Sequence, residues 1–205
     1  MADQRILILF AHPSLHRSKV NLRLMQVADT YPGVTVVDLY QQYPTYLIDI
    51  EAEQQRLIEH DIIVFMFPLY WYSTPAMLKE WQDLVLEYGF AYGKKGTALH
   101  GKLFFCATSA GGTEQAFENG GFAHFTLGQL LQPIEQMANI TGMTYLPPFA
   151  LFGARNAQEQ GRLSEHKSQW KALLSGLLQK RINPTEAKQY ELLNHYLVAR
   201  AKEKK

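Results

Sequence analysis

Three short stretches carry the groups suited to holding a ligand. The first, His12 to Asn21, leads from an apolar run into a helical pattern. Unpaired amides and the helix dipole make such a junction attractive to a phosphate. His12, Ser18 and Asn21 could add side-chain donors, and Lys19 and Val20 complete the candidate set. The stretch lacks both the glycines and Lys-Ser/Thr of a Walker loop and any GxGxxG, which leaves one phosphate as the reading. The plainer alternative is that Ser18 caps a helix and His12 is a loop residue. His12 and His16 could also suggest a metal, but Pro13 separates them and no third ligand is evident. The second stretch is Pro68-Leu69-Tyr70-Trp71-Tyr72-Ser73. Successive aromatic residues at a strand end need a flat apolar partner, either a protein surface or a planar ligand such as an isoalloxazine, unless they are simply core. The third is Ser109-Ala110-Gly111-Gly112-Thr113. Its paired glycines allow close backbone approach and conformations closed to other residues, although a turn without function would look the same.

These stretches gain weight from the elements that precede them. Arg5 to Phe10, Val34 to Leu39, Asp61 to Phe67 and Leu103 to Ser109 are apolar runs of the kind buried between helix layers. A fifth strand spans Met143 to Leu146 and Phe149 to Phe152, interrupted by Pro147-Pro148. Helical patterns lie between them. One is capped by Ser18 and carries Val20, Leu24, Val27 and Ala28; it stops at Pro32-Gly33. Another is capped by Asp49, with Glu51 and Glu53 in its first turn and Leu57 and Ile58 as its buried side. A third has Thr74 as cap and Pro75 in first position, then Met77, Leu78, Trp81, Leu84, Val85 and Tyr88 as an apolar stripe. A fourth runs around Leu130 to Ile140, restarted at Pro133 and ended by Gly142. The last core helix takes Ser164 as cap and Trp170, Leu173, Leu174, Leu177 and Leu178 as its face.

Strand and helix alternate five times, which implies an α/β fold: a doubly wound five-stranded parallel sheet with helices on both faces. Ligands of such sheets bind outside the carboxyl ends of the strands, where all three stretches fall. The chain divides into a core domain, 1–180, and a C-terminal helical extension, 181–205. In the extension Asn183-Pro184-Thr185-Glu186 starts a helix, Tyr190, Leu193 and Leu197 share one side, and AKEKK is a frayed end.

The bulk numbers narrow the class. A chain of 205 residues, 47% hydrophobic, can bury a core yet holds no apolar run long enough to span a bilayer. A formal charge of +1 gives no sign of a nucleic-acid partner. A single cysteine, Cys106, excludes an internal disulfide or cysteine cluster, and it reads as a small buried side chain. The N-terminus lacks the basic lead-in and cleavage site of a signal peptide, so the cytoplasm is the expected compartment.

The strings FAHPSLHRSKVN, LYQQYPTYLIDIEAEQ, FPLYWYSTPAMLKEWQDLVLEYGFAYG, GTALHGK, SAGGTE and LPPFALFG resemble the flavodoxin-like NAD(P)H–quinone oxidoreductases over about residues 5 to 178. Within that family they look most like the ancillary subunits of bacterial glutathione-gated potassium efflux systems. The resemblance implies FMN or FAD, NAD(P)H as co-substrate, two-electron ping-pong transfer to a quinone, and a homodimer whose interface completes the site. It also places His12, Ser18 and Asn21 at the flavin phosphate. Pro68, Leu69, Tyr70, Trp71 and Tyr72 then border the ring, and Ser109, Ala110, Gly111 and Gly112 bond its pyrimidine side. The family histidine matches His124, which with Tyr72 forms the candidate catalytic pair. Phe117 stands where the family has a tyrosine, so the phenol cannot be essential here. A second reading is a regulatory subunit docked on a potassium efflux transporter, peripheral at the inner membrane. A third is a flavodoxin-like electron carrier, against which the aromatic loop and the dimer argue.

Overall fold

A computed structural model describes residues 4–203. The sheet contains β1 (Ile6–Phe10), β2 (Val34–Asp38), β3 (Ile62–Pro68), β4 (Leu103–Ser109), β5 (Thr144–Tyr145) and β6 (Phe149–Leu151). All pairings are parallel, in the order β2-β1-β3-β4-β5, with β6 also on β4. That order is the flavodoxin-like winding, whose direction reverses between β1 and β3. The two prolines split the fifth strand as expected: β5 pairs with Leu103 and Phe104, and β6 with Ala107, Thr108 and Ser109.

Alternation along the strands sorts their side chains into two cores. Leu7, Leu9, Ile63, Phe65, Phe67, Phe104 and Cys106 face one side. There they meet α3 (Ile50–Glu59), α4 (Ala76–Val85) and α6 (Gln132–Ile140) through Leu57, Met77, Trp81, Val85, Ile134 and Ala138. Ile6, Ile8, Phe10, Val64, Met66 and Phe105 face the other. They pack on α1 (Asn21–Ala28) and α7 (Arg162–Leu178), through Leu24, Ala28, Trp170, Leu173, Leu174 and Leu177. Burial in the first core pushes the Cys106 thiol well above its usual range, which keeps it protonated. Among the described residues no helix is long and apolar enough to cross a membrane.

Several helix starts differ from the sequence expectation. Strand β2 ends at Asp38, whose carboxylate accepts from the amides of Tyr40 and Gln41 and opens α2 (Leu39–Gln42). Helix α1 begins at Asn21, not Ser18; Ser18 Oγ nevertheless accepts from the Leu22 amide at 3.0 Å. Pro75, with φ −58° and ψ 150°, is still extended, so it is the N-cap of α4 and Thr74 lies outside. Helix α7 is capped by Gly161 and includes Ser164. Arg162 fixes that earlier start by donating to the Phe152 and Gly153 carbonyls. Asp49 does cap α3, accepting from Ala52 at 3.0 Å, but Ile58 is exposed and Glu53 is fully buried. Tyr43 Oη and Trp81 Nε1 donate to the Glu53 carboxylate at 2.7 and 2.9 Å, and Arg56 pairs with it. Burial first, and that carboxylate second, push the Tyr43 phenol up to about 12. Tyr88 falls beyond the end of α4 and is exposed.

The α5 helix (Leu127–Leu130) is closed by a Thr126–Gln129 capping box and is separated from α6 at Leu131, just before Pro133. Gly142 follows α6 with φ +70°. The C-terminal segment is two helices, α8 (Pro184–Ala187) and α9 (Leu193–Glu203), with Tyr190 between them. Ala187, Leu193 and Tyr196 join the second core, and the Asn194 side chain accepts from the Ala150 amide on β6. Ala201, Lys202 and Glu203 continue α9; the last two lysines of the expected frayed end lie outside the described residues.

Candidate functional site

The carboxyl ends of β1, β3, β4 and β6 surround one cleft of about 970 Å³. That is the upper end of the range for small-molecule sites. Of the residues singled out in the sequence, His12, Ser18, Lys19, Val20 and Asn21 line it, as do Pro68 to Tyr72, Ser109, Gly111 and Gly112. Two do not. Ala110 is buried and its backbone is fully used, its amide donating to Leu151 and its carbonyl accepting from Ala154, both at 2.9 Å. His124 is exposed, has φ +61°, and stands outside the lining.

At the β1 end, His12 is buried against Phe10 and Tyr70. The Ser14 amide donates to its Nδ1 at 3.2 Å, so the proton of the neutral ring sits on Nε2, 3.5 Å from the Tyr70 hydroxyl. Burial holds its pKa below the usual histidine value, and the ring is neutral at neutral pH. Asn21, at the first position of α1, is 1% exposed, yet neither side-chain polar atom has a partner among the described residues. Such a group carries a desolvation penalty of about 1–3 kcal/mol until something bonds it. The amides of Lys19, Val20 and Asn21 likewise donate to no carbonyl among the described residues. Ser18 still has its hydroxyl proton to give. With exposed Arg17 beside them, these groups form a cradle rich in donors and suited to an anion, in which the Asn21 Oδ1 is a free acceptor.

At the β3 end, Leu69 is tied to the Ser109 carbonyl at 2.9 Å. Tyr70 to Ser73 then form a tight turn closed by a bond from the Ser73 amide to the Tyr70 carbonyl. Trp71 and Tyr72 both have positive φ, 48° and 61°, the signature of a type I′ turn ordinarily filled by Asn-Gly. Holding two bulky residues there is strained, and the strain leaves Trp71 94% exposed at the cleft mouth. Their own amides donate to no carbonyl among the described residues. The aromatic stretch is therefore not core packing.

At the β4 end the glycines act through space, since neither Gly111 nor Gly112 has a left-handed φ. A Cβ on Gly112 would stand 3.1 Å from Phe117. Phe117 is buried in the cleft wall between Tyr72 and Phe152, with ring centroids 6.4 and 5.3 Å away. A wall missed in the sequence comes from the segment after β6, where Ala154, Arg155, Asn156 and Glu159 line the cleft. The strand-end rule that found the other loops also covers this one, because Phe152-Gly153 ends the fifth strand. Phe122 and Ala123 line it as well. Among the described residues no cluster of three or more histidine, cysteine or acidic side chains could hold a metal.

The comparisons with known proteins agree with this geometry. A family model described as a flavodoxin-like fold matches residues 4–174. The chain is 43% identical to the uncharacterized NAD(P)H oxidoreductase YrkL of Bacillus subtilis, over 76% of this chain and 90% of that protein. Among solved structures, general stress protein 14 of Treponema denticola in complex with FMN is 33% identical, with TM-score 0.79, covering 84% of this chain and 99% of the other. An NADPH-quinone reductase from P. pentosaceus is 35% identical, with TM-score 0.70, covering 80% and 95%.

Proposed function

The chain belongs to the family of flavodoxin-like fold, and on that premise we propose that it is an FMN-dependent oxidoreductase that moves two electrons from NAD(P)H to a quinone. The observation that carries the reading is the buried, unpartnered Asn21 side chain inside a cradle of free amides, on the floor of a cleft walled by aromatic rings. Relatives named for NAD(P)H oxidation, quinone reduction and an FMN complex support it. The residues present fit FMN: Ser18, Asn21 and the amides of 19–21 would hold its phosphate, and His12 would donate from Nε2. Leu69, Tyr70, Trp71 and Tyr72 would flank the ring, with Ser109, Gly111 and Gly112 along its pyrimidine edge. FMN, when bound, supplies the hydride chemistry that no side chain of the cleft offers.

The protein's own part is orientation and exclusion of water. The strained turn sets Tyr72 edge-on against Phe117 as an apolar wall, beside which a nicotinamide and then a quinone would bind in turn; sharing one place would give ping-pong order. Neutral His12 bonds an anion without adding net charge. Exposed Trp71 and Phe122 in the cleft lining favour a homodimer, in which a second chain covers them.

Steady-state kinetics test the proposal. The FMN-loaded chain should oxidise NADPH or NADH only when a quinone is supplied, with parallel double-reciprocal lines. Bound flavin with no turnover by any quinone would overturn it in favour of a regulatory subunit or a carrier. Release of FAD from the purified protein would correct the cofactor.

A further inference from the structure

Hydride delivery to a flavin brings two electrons and one proton, so it adds one negative charge, which settles on the pyrimidine side of the ring. The NAD(P)H donor leaves as NAD(P)+, and the new charge needs a cation or a donor beside it. Neither family candidate is in place: His124, exposed like Arg155, stands outside the cleft lining, and Phe117 has no hydroxyl.

Arg155 is in place. It lines the cleft, and its Nε lies 3.7 Å from where a Cβ on Gly111 would stand. The two residues before it are fixed to the same loop, since the Ala154 amide donates to the Ala110 carbonyl at 2.9 Å and the Gly153 amide to the Gly112 carbonyl at 2.6 Å. Among the described residues its guanidinium has no carboxylate or carbonyl partner. The charge therefore stands free beside Gly111, on the loop that would hold the ring's pyrimidine edge, apart from the α1 cradle that would hold the phosphate. Arg17 and Lys19 belong to the first strand end, and Glu159 is the only acid in the lining.

We infer that Arg155 is the residue that stabilises the negative charge of the reduced flavin, in the role the family gives to a tyrosine and histidine. The inference rests on the FMN reading above.

The test compares the full-length chain with Arg155→Gln and Arg155→Lys, each loaded with FMN, by two readouts that do not need turnover. One is affinity for oxidised FMN by fluorescence titration; the other is the two-electron midpoint potential by equilibration with a reference dye. Arg155→Gln should bind oxidised FMN nearly as tightly as the parent, with a midpoint about 30 mV more negative, a tenfold loss of preference for the reduced form. Arg155→Lys should keep most of the parent potential. An unchanged potential in Arg155→Gln overturns the inference; if steady-state kinetics of that variant then show only a raised KM for NADPH, Arg155 is a nucleotide contact. A shift in His124→Gln with none in Arg155→Gln overturns it too. Failure of the parent itself to take up FMN sinks the parent reading, and this one with it.

Discussion

A buried amide with both polar atoms unpaired carries an unmet desolvation cost until something bonds it, and that makes Asn21 the most telling side chain of the cleft. Asn21→Ala should leave the melting temperature of the ligand-free protein unlowered, because about 1–3 kcal/mol of unmet desolvation disappears with the amide. The same substitution should weaken FMN binding at least about tenfold, the loss of one charge-assisted bond. Differential scanning with and without FMN checks both. A large fall in ligand-free stability would mean that Asn21 is structural. His166 gives a pH signature unrelated to the site. It is buried, stacked on Phe149 at 4.3 Å, and burial pulls its pKa down to about 3. Between about pH 6.5 and 3 the unfolded chain binds the extra proton, so stability falls as pH falls through that window and is unaffected above it. From pH 7 to 5 the loss due to His166 is about 2 kcal/mol. Urea melts of His166→Phe should show a correspondingly shallower decline; parallel profiles for parent and variant would refute the assignment. His12, Ser18 and Asn21 were legible in the sequence because a strand end running into a helix start is a local pattern. Arg155 was not, because one arginine in a loop looks like any solvated cation until the fold sets it beside Gly111.

At the scale of elements, the turn from Tyr70 to Ser73 departs from local preference. Two bulky aromatics occupy left-handed positions that ordinarily disfavour side chains by roughly 1–2 kcal/mol each. The double change Trp71→Asn, Tyr72→Gly restores the residues such a turn prefers. It should stabilise the ligand-free chain by about 1 kcal/mol while weakening FMN binding severalfold. Thermal melts and flavin titration of the variant check the pair of effects; a destabilised chain would show that the aromatics hold the turn rather than strain it. The apolar strands were readable almost residue for residue, since burial on both faces leaves few polar interruptions. Helix starts were less so. Ser18, Thr74 and Ser164 are all acceptable caps in isolation, but the helices start elsewhere: after the extended Pro75, at Arg162 with its bonds to two carbonyls, and at Asn21 in the cleft. Glu53 had the composition of a solvated first-turn acid and became a buried acceptor, because Tyr43, just past α2, and Trp81 on α4 reach it.

For the whole molecule, alternation of strand and helix led directly to the doubly wound sheet, whereas the splitting of the C-terminal segment into α8 and α9 depends on packing against α7 and β6 that no local pattern encodes. The parallel order gathers four strand ends at one edge of the sheet, and so brings a donor-rich cradle, an aromatic wall and a glycine loop around one cleft. That convergence is the central claim, and a titration of the flavin-free chain with FMN and, separately, with riboflavin tests it most directly. One equivalent of FMN should bind, and riboflavin, which lacks only the phosphate, should bind at least about tenfold more weakly, as loss of charge-assisted bonds of roughly 1.5–3 kcal/mol each requires. Equal affinity for the two, or uptake of neither by folded protein, would contradict a site built to hold a phosphorylated ring.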